Sequence, residues 1–248
     1  MFRTNTLSIM KSLKLLPIAL LLLYSSSIFA QMSGAPREFE STSQVYDQLR
    51  KFLNTKQKDA YKIDWDNVKG SPYLNEKYKL AKFFIGNKSY GNVMMRYNTY
   101  SDEIELLTED GKEMEALMKV ENSRVTFEDK TLKLFTYKDD KGYEQQGYFL
   151  VLNDEKEPKL LLKKKCVFSP NEKALTANQA DRAAKFTQYD YFYIVKDGEL
   201  TQVDPKKKAV VKLFPEKGSE IKKYIKSERL KLKKQEDFAK LVDYIATL

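Results

Sequence analysis

GNVMMRYNTYSDEIELL, residues 91–107, is the stretch whose reading decides the fold. Side chains alternate faces along a strand, so Val93, Met95, Tyr97 and Thr99 share one face and Met94, Arg96, Asn98 and Tyr100 the other. Ser101-Asp102 supplies turn chemistry. Beyond it Glu103 and Glu105 alternate with Ile104 and Leu106, the pattern of a half-buried strand. The stretch therefore predicts two strands folded back on each other. It also gathers Arg96, Asn98, Asp102 and Glu103, polar groups that a purely structural hairpin does not need. A half-buried charge left unpaired is costly, so Arg96 is expected to pair with the Asp102/Glu103 group near the turn.

Outward from this hairpin, residues 78–196 read as short strands separated by turns. KLAKFFI (79–85) stops at Gly86-Asn87, and EMEALMKV (113–120), RVTFED (124–129) and TLKLFTY (131–137) are further strands. GYFLVLN (147–153) is apolar on both faces and belongs in the middle of a sheet; KLLLKKKCVF (159–168) and YDYFYIV (189–195) complete the set. Asp110-Gly111 and Asp197-Gly198 have the composition of two-residue hairpin turns, which need positive φ at both positions. Residues 169–188 form a polar interruption, with helix expected around Gln179 to Lys185.

Both ends of the chain change period. Ser41-Thr42-Ser43-Gln44 has capping-box spacing, and Val45, Leu49, Phe52 and Leu53 follow on one helical face, predicting a short helix that stops near Asn54-Thr55. Gly70-Ser71-Pro72 is a turn signal. After Thr201 the apolar period lengthens to that of a helix. Pro215 suits a first helical position, Ile221, Tyr224 and Ile225 share a face, and Phe238, Leu241, Val242 and Ile245 recur at i, i+3, i+4 and i+7. Strands followed by helices predict an α+β protein. Its mainly antiparallel sheet would be a meander, a curved sheet or a partial barrel, with a short N-terminal helix and a C-terminal helical tail. The chain divides into a signal peptide (1–30), a lead with a short helix (31–69), a β domain (70–202) and a basic helical tail packed on it (203–248).

Residues 1–30 carry Arg3, Lys11 and Lys14, an apolar run from Leu13 to Leu23, and Ile28-Phe29-Ala30 before Gln31. That is a basic start, a short hydrophobic core and a small residue at a cleavage position. The run is shorter than the ~20 residues a membrane-spanning helix needs. No cysteine lies near the junction, so export without a lipid anchor is expected, to the periplasm or the exterior. No later segment has the length to cross a membrane. Removing 30 residues leaves 218, enough to bury a core without disulfides. Cys166 is the one cysteine and sits in a strand pattern, where it reads as a small buried hydrophobe.

Composition excludes several chemistries. The chain has no histidine, which removes the usual neutral-pH general base and the commonest zinc ligand. It has no glycine-rich phosphate loop. No metal, cofactor or catalytic residue is assigned. Charge is unevenly distributed: residues 31–202 balance 28 basic against 28 acidic side chains, whereas residues 203–248 carry 13 basic and 7 acidic. Lys163-Lys164-Lys165 and the tail lysines Lys222, Lys223, Lys226, Lys231, Lys233 and Lys234 bring no nucleic-acid recognition motif with them. They are either a solvated face or a contact for an anionic envelope component. Tyr189, Tyr191 and Tyr193 line one strand face. Together with Arg96, Tyr97, Asn98 and Tyr100 they form the candidate ligand surface, the alternative being an amphipathic core edge with wet hydroxyls.

GSPYLNEKY (70–78), MRYNTYSDEIEL (95–106), GYFLVL (147–152), LLLKKK (160–165) and the tail from Leu213 to Leu248 resemble a family of secreted proteins of Bacteroidota. That family has no assigned activity and no defined catalytic residues. The resemblance implies export and a single unit of conserved length. Three functions fit: a non-enzymatic binding or envelope-associated module that contacts an anionic envelope component or a protein partner; a carrier of a hydrophobic or lipid-like ligand; and a histidine-free carbohydrate-active enzyme built on two carboxylates such as Glu103 and Glu105.

Overall fold

The computed structural model describes residues 45, 48–55, 67–107, 114–139, 141–153, 157–174, 176 and 180–248. These belong to one compact unit, Thr42–Leu248. Among them eleven strands form one antiparallel sheet: β1 Leu53–Thr55, β2 Lys79–Ile85, β3 Lys88–Asn98, β4 Glu103–Leu107, β5 Met114–Leu117, β6 Ser123–Phe127, β7 Thr131–Lys138, β8 Glu144–Val151, β9 Lys159–Ser169, β10 Lys185–Lys196 and β11 Glu199–Val203. Three helices follow: α1 Lys207–Leu213, α2 Gly218–Ser227 and α3 Gln235–Ile245. The strand order is β1-β5-β4-β3-β2-β6-β7-β8-β9-β10-β11, so the sheet is open. Two meanders, β2 to β5 and β6 to β11, are joined where β6 returns to pair with β2. This is the α+β, mainly antiparallel architecture that the strand alternation predicts.

The two strands fold back on each other as expected, and their register sets Arg96 opposite Glu105 and Tyr97 opposite Ile104. Its loop is longer than Ser101-Asp102 alone and runs from Thr99 to Asp102. The Asn98 side chain accounts for this: its Oδ1 accepts hydrogen bonds from the backbone N–H groups of Tyr100 (3.0 Å) and Ser101 (3.1 Å). Asp102 closes the turn at φ 57°. Further back, β3 carries one extra residue against β2 where the register shifts between Lys82 and Phe84. Gly91, at φ 87°, lies at that bulge.

One face of the sheet builds the main core. Phe83, Met95, Tyr97, Ile104, Leu106, Val125, Leu132, Tyr148, Leu160, Leu162 and Ile194 are all buried in it. The helices fill the same core: Val210, Phe214, Ile221, Phe238, Leu241, Val242 and Ile245 join it, and the Phe238 ring lies 5.1 Å from that of Phe192. A smaller apolar cluster, Phe149, Leu161, Tyr193 and Val195, occupies the opposite face.

Three local expectations are corrected or fall elsewhere. The N-terminal helix does not reach Asn54-Thr55: a 3-10 turn at Arg50–Phe52 leads into β1, which pairs with β5. The ladder partner overrides helix propensity there. No helix stands at 180–185. Arg182 bridges Glu172 and Lys185 opens β10, where pairing with β9 satisfies the backbone. The Asp110-Gly111 turn lies outside the described residues, while Asp197-Gly198 has positive φ at both positions, 53° and 76°.

Candidate functional site

β8 and β9 pair only at Leu150 with Leu162 and at Val151 with Leu161. Continuing that register would set Tyr148 opposite Lys164, but the strands diverge into a fork. Backbone groups freed by such a divergence need other partners. The β3–β4 turn supplies them. Thr99 O accepts from the Cys166 N–H at 3.0 Å, and Asp102 Oδ1 accepts from the Tyr148 N–H at 3.3 Å. A loop from one meander thus plugs a gap in the other, and the sheet curls far enough for β3 to meet β9.

Asp102 is the centre of the plug. Its Oδ1 accepts from Lys163 Nζ (2.6 Å) and from the Tyr97 hydroxyl (2.6 Å), and its Oδ2 accepts from Lys119 Nζ (2.9 Å). Lys163 Nζ also donates to Tyr148 O at 3.1 Å and lies over the rings of Phe149 and Tyr137 at 5.2 and 5.5 Å. Lys119 Nζ donates to Gln146 O at 2.9 Å. Burial pushes the Lys163 amine down to about 8, with the Asp102 carboxylate pulling the other way. Burial and Asp102 both hold the Tyr97 hydroxyl well above its ordinary value, and burial does the same for Tyr148. Lys163 is 6 % exposed, and its bonds go to a carboxylate and a carbonyl. This geometry makes a charge clamp.

A second polar cluster lies on the other side of β3. Glu105, fully buried, accepts from Arg96 Nε on Oε2 (2.8 Å) and from Asn98 Nδ2 on Oε1 (2.8 Å). The expected pairing of Arg96 with Asp102 or Glu103 is therefore corrected: its carboxylate is Glu105. The four-residue turn sets Arg96 directly across from it and swings Asp102 towards β9. The Arg96 guanidinium stacks on Tyr73 (3.6 Å) and Tyr78 (4.4 Å) and donates to the Tyr73 hydroxyl at 2.7 Å. Burial pushes the Tyr78 hydroxyl up to about 12. The Ser71–Tyr78 stretch is strapped down here. Pro72 O accepts from the Thr99 N–H, Leu74 N–H donates to Tyr97 O, and Gln188 Nε2 donates to Ser71 O and Tyr73 O.

The candidate ligand residues are distributed over several places. Arg96 and Asn98 converge on Glu105. Tyr97 is buried in the core, its ring edge-on to Tyr148 at 6.2 Å. Tyr100 is partly exposed and rests on Phe186. Along β10, Tyr189 is exposed, Tyr191 half-buried and Tyr193 buried against Phe149, with its hydroxyl donating to Gln202 Oε1 at 3.2 Å. Glu103 and Glu105 share a face, but Glu105 is committed to Arg96 and Asn98. Lys119 and Lys163 were not singled out individually by sequence, and no local signal marks them: LLLKKK gives no sign that its first lysine turns inward.

In the tail, Lys222, Lys223 and Lys226 are exposed on the outside of α2, and Lys231, Lys233 and Lys234 are exposed in the connection between α2 and α3, whose apolar residues lie in the core. No helix among the described residues is long and apolar enough to cross a membrane. No three His, Cys, Asp or Glu side chains among the described residues stand together as metal ligands. Comparison with protein-family models, with curated proteins and with solved structures returns no match.

Proposed function

We propose that this protein is a non-enzymatic exported module that associates with the cell envelope by binding an anionic polymer or lipid headgroup through its basic helical tail. One observation carries the reading. The tail segregates: Ile221, Phe238, Leu241, Val242 and Ile245 are at 0 % exposure, while the six lysines named above face solvent. An apolar face turned to the core leaves charge as the means of contact. Residues 203–248 carry the whole basic excess of the chain after residue 30. Lysine clusters draw anionic surfaces through long-range attraction, and that attraction is screened by salt. Export rests on the basic start, apolar run and small cleavage residue of 1–30. The two polar clusters support the non-enzymatic part, since their charged groups are bonded to one another.

The test is sedimentation with vesicles of a neutral lipid containing an anionic one, across a salt series. Binding that falls steeply between low and physiological salt, and that is lost when Lys222, Lys223 and Lys226 become Glu, supports the reading. Salt-independent binding, or none, leaves the lysines as a solubilising face.

A further inference from the structure

The sheet ends at β11, and no strand among the described residues lies beyond it. In an antiparallel ladder every second residue of an edge strand turns its N–H and C=O outward, where they template another strand. Edges are ordinarily guarded by charge or proline within the strand. Here Glu199 opens the strand and Asp204-Pro205 follows it, leaving Leu200, Thr201, Gln202 and Val203 uncharged between them. The opposite edge, β1, has three residues against five in β11.

Beside this edge is a hollow of about 420 Å³. Thr201, Gln202, Val203 and Asp204 form one wall, and Ala209, Lys212 and Leu213 of α1 the other. Its floor is apolar (Val203, Ala209, Leu213) and its rim carries Lys212. α1 is held off the edge by its own anchors. Val210 and Phe214 enter the core, and Lys196 Nζ donates to Leu213 O at 3.4 Å while lying over the Phe214 ring at 5.1 Å. The hollow is thus preformed. The approach to α1 is basic: Lys207, Lys208 and Lys212 are exposed, and Lys206 pairs with Asp204 at 3.0 Å.

We infer that β11 and this hollow form a docking site for an extended, acidic peptide segment of a partner protein. The segment adds as a twelfth strand, seats one apolar side chain between Val203 and Leu213, and sets its carboxylates against Lys207, Lys208 and Lys212. Backbone pairing gives affinity and the hollow gives selection, as in other strand-addition sites. A second copy of the chain is a poorer occupant, because edge-to-edge pairing brings two basic tails together.

The probe is a fluorescent peptide of alternating valine and threonine flanked by glutamates, with a lysine-flanked version as control. The site predicts saturable binding of the acidic peptide and slowed amide exchange in Glu199–Val203. Lys212→Glu, an exposed change, weakens binding up to about five-fold. Ala209→Glu, which fills and charges the hollow, abolishes binding while the melting temperature holds. Absence of binding, equal binding of the lysine-flanked peptide, or protection outside β11 overturns the inference. So does a concentration-dependent dimer that Ala209→Glu dissolves, because that makes the edge a self-pairing surface.

Discussion

Asp102 and Lys163 stand 61 positions apart in sequence and 2.6 Å apart in the fold, the carboxylate reaching from the β3–β4 turn into the fork between β8 and β9. Lys119, the Tyr97 hydroxyl and the Tyr148 N–H complete the grip, so four groups from different parts of the chain depend on one side chain.

Asp102→Asn tests that dependence. Removing the charge leaves Lys163 buried with a weaker acceptor, and breaking a buried pair costs on the order of 3 kcal/mol. Some exposure of Asp102 and the persistence of Lys119 reduce this, so about 2 kcal/mol is expected by urea denaturation. The amide protons of Tyr148 and Cys166 should exchange faster, since the plug bonds both strands. A loss under about 0.5 kcal/mol with unchanged exchange would show that the plug is held by other contacts.

The pH dependence follows from Lys163. Its folded value of about 8 lies below the ordinary 10.5, so the native state binds fewer protons than the unfolded state between those values. Stability contributed at this site is therefore lowest below about pH 8 and rises as pH climbs towards 10.5, by on the order of 3 kcal/mol at most. Tyr97 and Tyr148 act oppositely above about pH 10, because their raised values make the native state hold protons that the unfolded state has released. The usable window is pH 8 to 10. Wild type should gain stability there relative to Lys163→Met, and parallel curves for the two would refute the assignment.

Arg96→Ala strands Glu105 at 0 % exposure and frees the Tyr73 and Tyr78 rings. The expected loss is about 3 kcal/mol. Glu105→Gln should cost less, because the amide still accepts a bond. A double-mutant cycle between these positions should show coupling above about 1 kcal/mol.

Gly70 and Gly86 offer a controlled comparison at positive φ, 77° and 56°. A Cβ on Gly70 would sit 2.4 Å from the backbone oxygen of Phe186, whereas one on Gly86 meets nothing within 4 Å. Gly86→Ala should cost about 1 kcal/mol in backbone strain alone. Gly70→Ala should cost at least ~2 kcal/mol, since Lys69 N–H to Ala184 O and Phe186 N–H to Lys69 O must shift with it. Equal melting temperatures would disprove the close approach.

Phe238→Ala reports whether the tail is integral. The ring is fully buried against Phe192, so a loss of about 3–5 kcal/mol is expected, with one cooperative transition. A small change, or a separate early transition, would mean that the helices melt independently of the sheet.

What the sequence by itself determined is local. Alternation at period two marked the β3–β4 hairpin, short β-prone runs between turn signals marked β2 and β6 to β10, and apolar spacing at i, i+3, i+4 and i+7 marked α3, because side-chain direction repeats with backbone geometry along a few residues. Pro215 opening a 3-10 turn ahead of α2, and the Asp197-Gly198 turn, were legible for the same reason. The tertiary structure decided what depends on distant partners. β1 is a strand because β5 lies beside it. Arg96 faces Glu105 because Asn98 lengthens the turn to four residues and sets the register. Lys163 turns from a surface lysine into a buried one because β8 and β9 part where Asp102 arrives. Such pairings belong to the curl of the sheet, and no window of neighbouring residues contains them.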